Sequence, residues 1–379
     1  MRNIFNYGVL VLLLGTCIRI SAQDPTFSNF NFNQAYYNPA YTGYYEGYNI
    51  SVTSHTMWPN IPGKIFPGAL STNTAYGDAW INKGFYTAGA GVFATSDLEG
   101  EGFLRTNTFG VSYAQQLYLP GRNHSDPYRL KVSAGFKVYA NSISIDWNKL
   151  TFSDQLNVDY VNANSAFGKE GIGHATTFDI DAGILLQTNT LDNNRNTSWH
   201  NEFGLALGHI LSPATSFLGD PENATHIPRK LVLSYTSYIK LPNKHFFVMP
   251  TALFQKQSNF YEFDASLEVC YKLNEKDAGI PIGLTIGNRL SIAPAVSNTN
   301  AVVVGLSRKS TFGSKNPIVY YISFSVEFPY GGLGTAQTYG TYELSLGFVF
   351  PAKLNDHFGQ CPSGAYDHSG TIKSWAKYN

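Results

Sequence analysis

Large apolar side chains return at every second position in one stretch of this chain after another. Between residues 341 and 350, Thr341, Glu343, Ser345 and Gly347 alternate with Tyr342, Leu344, Leu346, Phe348 and Phe350, and only Val349 breaks the order. A period of two belongs to a strand with two unlike faces. With aromatic and aliphatic residues on one face and small or polar ones on the other, it fits a wall between hydrocarbon and water, and an aromatic last residue fits the closing strand of an outer-membrane barrel.

Past the first 22 residues no apolar run nears the roughly 20 residues a membrane helix needs, so any crossing falls to strands. Alternating or aromatic and β-branched runs bounded by Gly, Pro, Asn and Asp predict about 14 strands, near 47–56, 68–77, 83–95, 102–119, 127–141, 175–188, 198–210, 229–241, 246–256, 260–274, 280–290, 300–309, 317–328 and 339–350. The fold class is therefore all-β, a transmembrane antiparallel β-barrel. In the fifth run Leu130, Val132, Ala134, Phe136 and Val138 would face lipid and Lys131, Ser133, Gly135 and Lys137 the interior. In the tenth, Phe263, Ala265, Leu267, Val269 and Tyr271 alternate with Glu262, Asp264, Ser266, Glu268 and Cys270. These inward charges either line a pore or cross-link a plugged interior. Turns are expected at 77–82, 242–245 and 274–279, and long links at 57–67, 141–174 and 211–228. That asymmetry puts both termini in the periplasm and the long links outside.

Four domains follow. Residues 1–22 read as a signal peptide, with Arg2, an apolar Val9 to Leu14 and Ser21-Ala22 before the cut; Gly15-Thr16 makes Cys17 a poor lipidation site. Residues 23–47, rich in Asn and Tyr, form a periplasmic or luminal segment whose aromatics favour packing against or into the lumen. The barrel itself covers 48–350, and 351–379 is a periplasmic tail. Cys270 and Cys361 outlast signal removal; in an oxidising compartment they either pair or stand as two thiols.

The chain carries no formal net charge and no basic cluster, which argues against a nucleic-acid partner. No phosphate loop, His-Glu-x-x-His or paired Cys-x-x-Cys occurs, so no cofactor or metal is expected. A Ser212–His209 pairing is a weak hydrolase signal, and Asp154, Asp159, Glu170, Asp179 and Asp181 read better as solvated surface than as a calcium loop.

Several short motifs, taken in order, resemble the PorP/SprF family of outer-membrane proteins of the Bacteroidetes type IX secretion and gliding machinery. They include Gln23-Asp24-Pro25-Thr26-Phe27-Ser28, then Tyr37-Asn38-Pro39-Ala40-Tyr41, and then Asp146-Trp147-Asn148-Lys149-Leu150-Thr151-Phe152-Ser153-Asp154-Gln155, the closing Tyr342-Glu343 and Cys361-Pro362. Where members carry Arg-x-Gln-Trp-Pro after the first strand, this chain has His55-Thr56-Met57-Trp58-Pro59, with His55 in the Arg place. The resemblance implies a non-enzymatic barrel that binds or anchors secreted surface adhesins bearing a type B secretion domain, or links them to a periplasmic lipoprotein ring. Asn38, Pro39, Trp58, Asp146, Trp147, Leu150, Asp154, Gln155, Cys361 and Pro362 become candidate partner-binding positions. Trp147, Leu150 and Phe152 are expected to pack a cap onto the outer end. The competing reading is a porin or a transporter of small or hydrophobic solutes.

Overall fold

The computed structural model describes residues 24–45, 47–59, 70–83, 86–100, 104–119, 130–146, 150, 173–191, 197–216, 224–241, 246–272, 281–292, 300–312, 318–330 and 339–351. The first half of the wall is β1 (Gly47–Met57), β2 (Leu70–Lys83), β3 (Tyr86–Glu99), β4 (Leu104–Leu119), β5 (Leu130–Ser144), β6 (His174–Leu191) and β7 (Thr197–Gly208). After a two-stranded ribbon of β8 (Ala214–Thr215) and β9 (Thr225–His226) come β10 (Lys230–Lys240), β11 (Phe246–Gln257), β12 (Phe260–Lys272), β13 (Pro281–Ile292), β14 (Ala301–Phe312), β15 (Ile318–Pro329) and β16 (Thr341–Pro351). The fourteen wall strands pair antiparallel with their sequence neighbours, and β1 meets β16 from Gly47 opposite Pro351 to Met57 opposite Thr341. Closure leaves no open edge, which is the condition for strands to cross hydrocarbon. No helix among the described residues is long and apolar enough to cross.

The period of two sets the faces as expected. Phe136, Phe263, Leu267 and Leu344 are exposed on the outside, while Lys131, Ser133, Glu262, Glu268 and Glu343 are buried within. The outward Lys256 is the last but one residue of β11, at a strand end rather than in the middle of the wall, where a Lys or Arg at mid-bilayer would cost about 2–4 kcal/mol. Val349, the odd residue of the closing strand, faces inward and packs with Phe32, Val319 and Tyr321.

The turn expected at 77–82 is a correction: β2 continues to Lys83, paired with β3 as far as Tyr86. Gly77-Asp78 has the composition of a turn, but Asp78 points inward and accepts the backbone N–H of Gly43 at 2.6 Å. The end of the barrel where β1 starts and β16 stops is called the proximal rim below, and the opposite end the distal rim.

Candidate functional site

The lumen is occupied by the chain's own residues 24–45. This segment holds a 3-10 turn (Phe30–Phe32), one helical turn α1 (Gln34–Tyr37) and a second 3-10 turn (Pro39–Tyr41). Phe27, Phe30, Tyr37, Ala40, Tyr41 and Tyr44 form the main buried cluster with Leu185, Ala206, Val232 and Leu253 of the wall. Backbone groups drawn into the lumen need partners, because an unpaired buried one is costly. The wall supplies them from its inward polar face. Glu343 accepts the N–H of Ser28 at 2.6 Å and of Asn29 at 3.2 Å. Arg289 donates Nη2 to the Phe27 carbonyl at 2.7 Å while pairing with Asp264 and Glu327. Lys137 Nζ donates to the Tyr36 carbonyl at 2.8 Å and pairs with Asp181 at 2.9 Å. The inward charges thus cross-link a plugged interior.

Asn38-Pro39-Ala40 is the seat of this plug. The Asn38 side-chain oxygen caps the second 3-10 turn by accepting the Ala40 N–H at 2.9 Å, and Pro39 occupies the first turn position, where no backbone N–H is needed. The other end of the same amide donates to the carbonyls of Ile184 on β6 and Leu205 on β7. The approach is possible because small residues line up across the wall. Gly89, Ala114, Gly135, Gly183 and Ala206 are successive register partners on β3 through β7. A Cβ at Gly135 would lie 2.5 Å from the Pro39 carbonyl oxygen, one at Gly89 would collide with the Thr42 carbonyl, and one at Gly183 with the Asn38 side chain.

At the distal end the segment is fixed by charge. Asp24 meets His209 Nε2 at 3.0 Å and Lys230 at 3.3 Å, and the other ring nitrogen of His209 faces Asp179 at 2.8 Å. Asp181 accepts the His209 N–H at 2.9 Å and the Tyr139 hydroxyl at 2.8 Å. Burial opposes the imidazolium, but the charges of Asp24 and Asp181 and the hydrogen bonds to Asp179 and Asp24 outweigh it and hold the pKa up at about 10. The ring therefore donates from both nitrogens at neutral pH. Burial likewise works against the Asp24 carboxylate, yet Lys230 and His209 hold it far below the usual range. Above this floor lies a cavity of about 220 Å³, bordered by Asp24, Tyr36, Asp97, Glu99, Tyr139 and His209.

Two sequence-derived readings are corrected here. Asp179 and Asp181 are buried inward residues of β6, not solvated link residues. Ser212 and His209 make no nucleophile–base pair: the Ser212 hydroxyl donates to the Ile227 carbonyl at 2.7 Å and the imidazole is held by carboxylates.

The candidate partner-binding positions fall in different places. Asn38 and Pro39 are buried in the lumen and touch the wall. Trp58 is half-buried at the distal rim with φ 47°, its N–H donating to the Gly340 carbonyl at 2.9 Å. Asp146 and Leu150 are half-buried at the start of the link after β5. Trp147, Asp154, Gln155, Cys361 and Pro362 lie outside the described residues, and so does most of the expected cap. His55, in the family's Arg place, is buried edge-on against Phe27 at 5.8 Å, with no hydrogen-bond partner for its ring nitrogens among the described residues. Sequence reasoning named His209 only as a weak hydrolase signal, and it missed the pairing of His209 and Lys230 with Asp24 and the glycine row. Each depends on register between strands far apart in the chain.

The family profile for the Type IX secretion system membrane protein PorP/SprF matches residues 20–348. No curated protein matches the chain. Among solved structures, the translocator domain of the autotransporter NalP from Neisseria meningitidis is 14% identical with TM-score 0.32, covering 80% of this chain and 88% of that one. The Pseudomonas putida toluene transporter TodX is 11% identical with TM-score 0.41, covering 84% and 93%. A Pseudomonas aeruginosa FadL homologue is 11% identical with TM-score 0.44, covering 86% and 95%. These are likenesses of fold alone. With a closed barrel in place, its lumen filled by the segment that carries the Asn-Pro-Ala motif, and the family profile matching most of the chain, the protein belongs to the PorP/SprF family of type IX secretion outer-membrane proteins.

Proposed function

We propose that this outer-membrane barrel is a plugged, non-enzymatic docking platform. Its distal rim, facing outward, receives an exported adhesin with a type B secretion domain, and its proximal rim and 351–379 tail face periplasmic lipoprotein components. The observation that carries this reading is the filled lumen: residues 24–45 are bonded to the wall along their length, from Asp24 at the distal end to Tyr44, whose hydroxyl donates to Glu202 at 2.5 Å. A barrel closed in this way offers its rims rather than a conduit. The distal rim presents half-buried Trp58 together with Leu211, Tyr330 and Tyr339, which are 55%, 50% and 51% exposed. Aromatic side chains of that kind anchor protein interfaces.

The test is affinity purification from membranes in mild detergent with identification of what is retained, alongside a deletion strain. Retention of a surface protein or secretion component, and loss of surface display or movement in the deletion strain, is the expected result. A deletion strain that secretes, displays and moves normally but fails to take up a solute overturns the proposal in favour of a transporter.

A further inference from the structure

The plug leaves two spaces between itself and the wall. The outer one is the cavity of about 220 Å³ over the Asp24–His209 floor, bordered by the distal parts of β3, β4 and β5. The inner one, about 40 Å³, lies deeper, against Asn49 and Ser51 of β1 and Asp78 of β2. Roughly 10–15 Å³ of such space suffices for one water, so both are large enough to be wet. Tyr36, Phe93 and Lys137 border both cavities and so stand between them. Lys137 ties this partition together. Its Nζ donates to the Tyr36 carbonyl at 2.8 Å, pairs with Asp181 at 2.9 Å, and lies 5.4 Å and 5.5 Å from the ring centres of Tyr36 and Phe93.

The charge on both sides of the partition suits a cation. Around the outer cavity Lys137, Lys230 and His209 are each engaged by Asp181, Asp24 or Asp179. Asp97 and Glu99, on the same cavity wall, have no ion pair among the described residues. At the inner cavity Asp78 is 6% exposed, and its Oδ1 has no hydrogen-bond partner among the described residues. Tyr41, Tyr44 and Tyr45 border the same space, and aromatic rings attract cations electrostatically. The other carboxylate oxygen of Asp78 accepts the Gly43 N–H, so an ion beside it would sit against an anchor of the plug.

We propose that the inner cavity is a station for a small monovalent cation of the ammonium or potassium class, reached from the distal mouth along β3 to β5 and shut at rest by the Lys137 partition. The site goes beyond the docking role, which the affinity purification tests separately.

Access to the inner cavity is read through Ser51→Cys in the full chain, purified in mild detergent and exposed to methanethiosulfonate reagents with an ammonium or a sulfonate head. Labelling is followed at the peptide that contains position 51, and in this variant it should be slow. Adding Lys137→Ala should raise the ammonium rate roughly tenfold. The ammonium reagent should then outrun the sulfonate by about tenfold, as a counter-ion does in a charged cleft. Phe93→Ala in place of Lys137→Ala removes no polar atom from the plug's contacts and should open the partition too. Asp78→Asn in either opened variant should cut the ammonium preference. Rates unchanged in both openings, equal rates for the two heads, or a preference that survives Asp78→Asn whole would each overturn the proposal. Labelling as fast as in a barrel lacking residues 24–45 would mean that the plug had left, and overturns it as well.

Discussion

His209 turns three scattered carboxylates into a fastening. Its pKa stands near 10 with the segment docked, against an ordinary 6.5. A group with a raised folded pKa contributes stability that is complete below the lower value and lost as pH rises through the upper one. Asp24, with its pKa depressed, contributes above its ordinary 3.8 and loses that contribution as pH falls further. Asp179 and Asp181 stay beside His209 when the segment leaves, so only the part of the rise owed to Asp24 is linked to docking. Docking of the 24–34 stretch therefore weakens as pH rises towards 10, by less than the roughly 1.4 kcal/mol per pH unit of a fully linked proton. Hydrogen exchange of residues 24–30 measured at pH 6, 8 and 9.5 should quicken beyond the intrinsic rate increase. In His209→Gln the pH dependence should flatten and protection of residues 24–30 should fall by the equivalent of about 1.5–3 kcal/mol, because Asp24 loses a charge-assisted hydrogen bond and keeps Lys230 as its remaining cation. Glu343→Ala makes an independent prediction: the Ser28 and Asn29 amides lose their acceptor at about 1–3 kcal/mol each. Their exchange should accelerate while that of the 38–43 stretch, seated elsewhere, stays slow.

The wall strands were legible because each carries its own evidence: a period of two needs no knowledge of neighbours. The glycine row did not show in the same way. Gly89, Gly135 and Gly183 each look like an ordinary small residue within a strand, and only the pairing register brings them side by side beneath Asn38 and Pro39. The Asn-Pro-Ala motif could be seen in the sequence as a motif, and its cap could be argued from Asn followed by Pro, but its docking partners lay in strands as far away as β7, where Leu205 is 167 residues from Asn38. Asp78 misled for a related reason: beside Gly77 it has turn chemistry, and its partner is the backbone of Gly43, in the luminal segment 35 residues earlier in the chain. At this scale the expectation is steric. Gly135→Val sets a branched side chain against the backbone of Pro39, which cannot swing aside as a long side chain does. Overpacking of this kind costs about 1–3 kcal/mol. The barrel should still insert and show its heat-modifiable migration, while residues 38–43 lose exchange protection; full protection in the variant would mean that the row does not seat the plug.

For the molecule as a whole, the closed wall and the plug are separable structures joined at Gly47, and they are held to different standards. The wall's hydrogen bonds run strand to strand and close on themselves from β1 to β16, so nothing in its ladder depends on the plug. The plug, by contrast, has few backbone bonds of its own and relies on Glu343, Arg289, Lys137, Asp78 and Glu202. Removing residues 24–45 while keeping the signal stretch should therefore leave a barrel that inserts, with buried charges newly open to water. Its lumen should conduct. The intact protein in a planar bilayer should show little single-channel current, and the deletion should show large, steady steps whose size falls when the 24–45 peptide is added back. Equal and large conductance with and without the segment would mean that the plug does not block the path, and the docking-platform reading would then give way to the transporter.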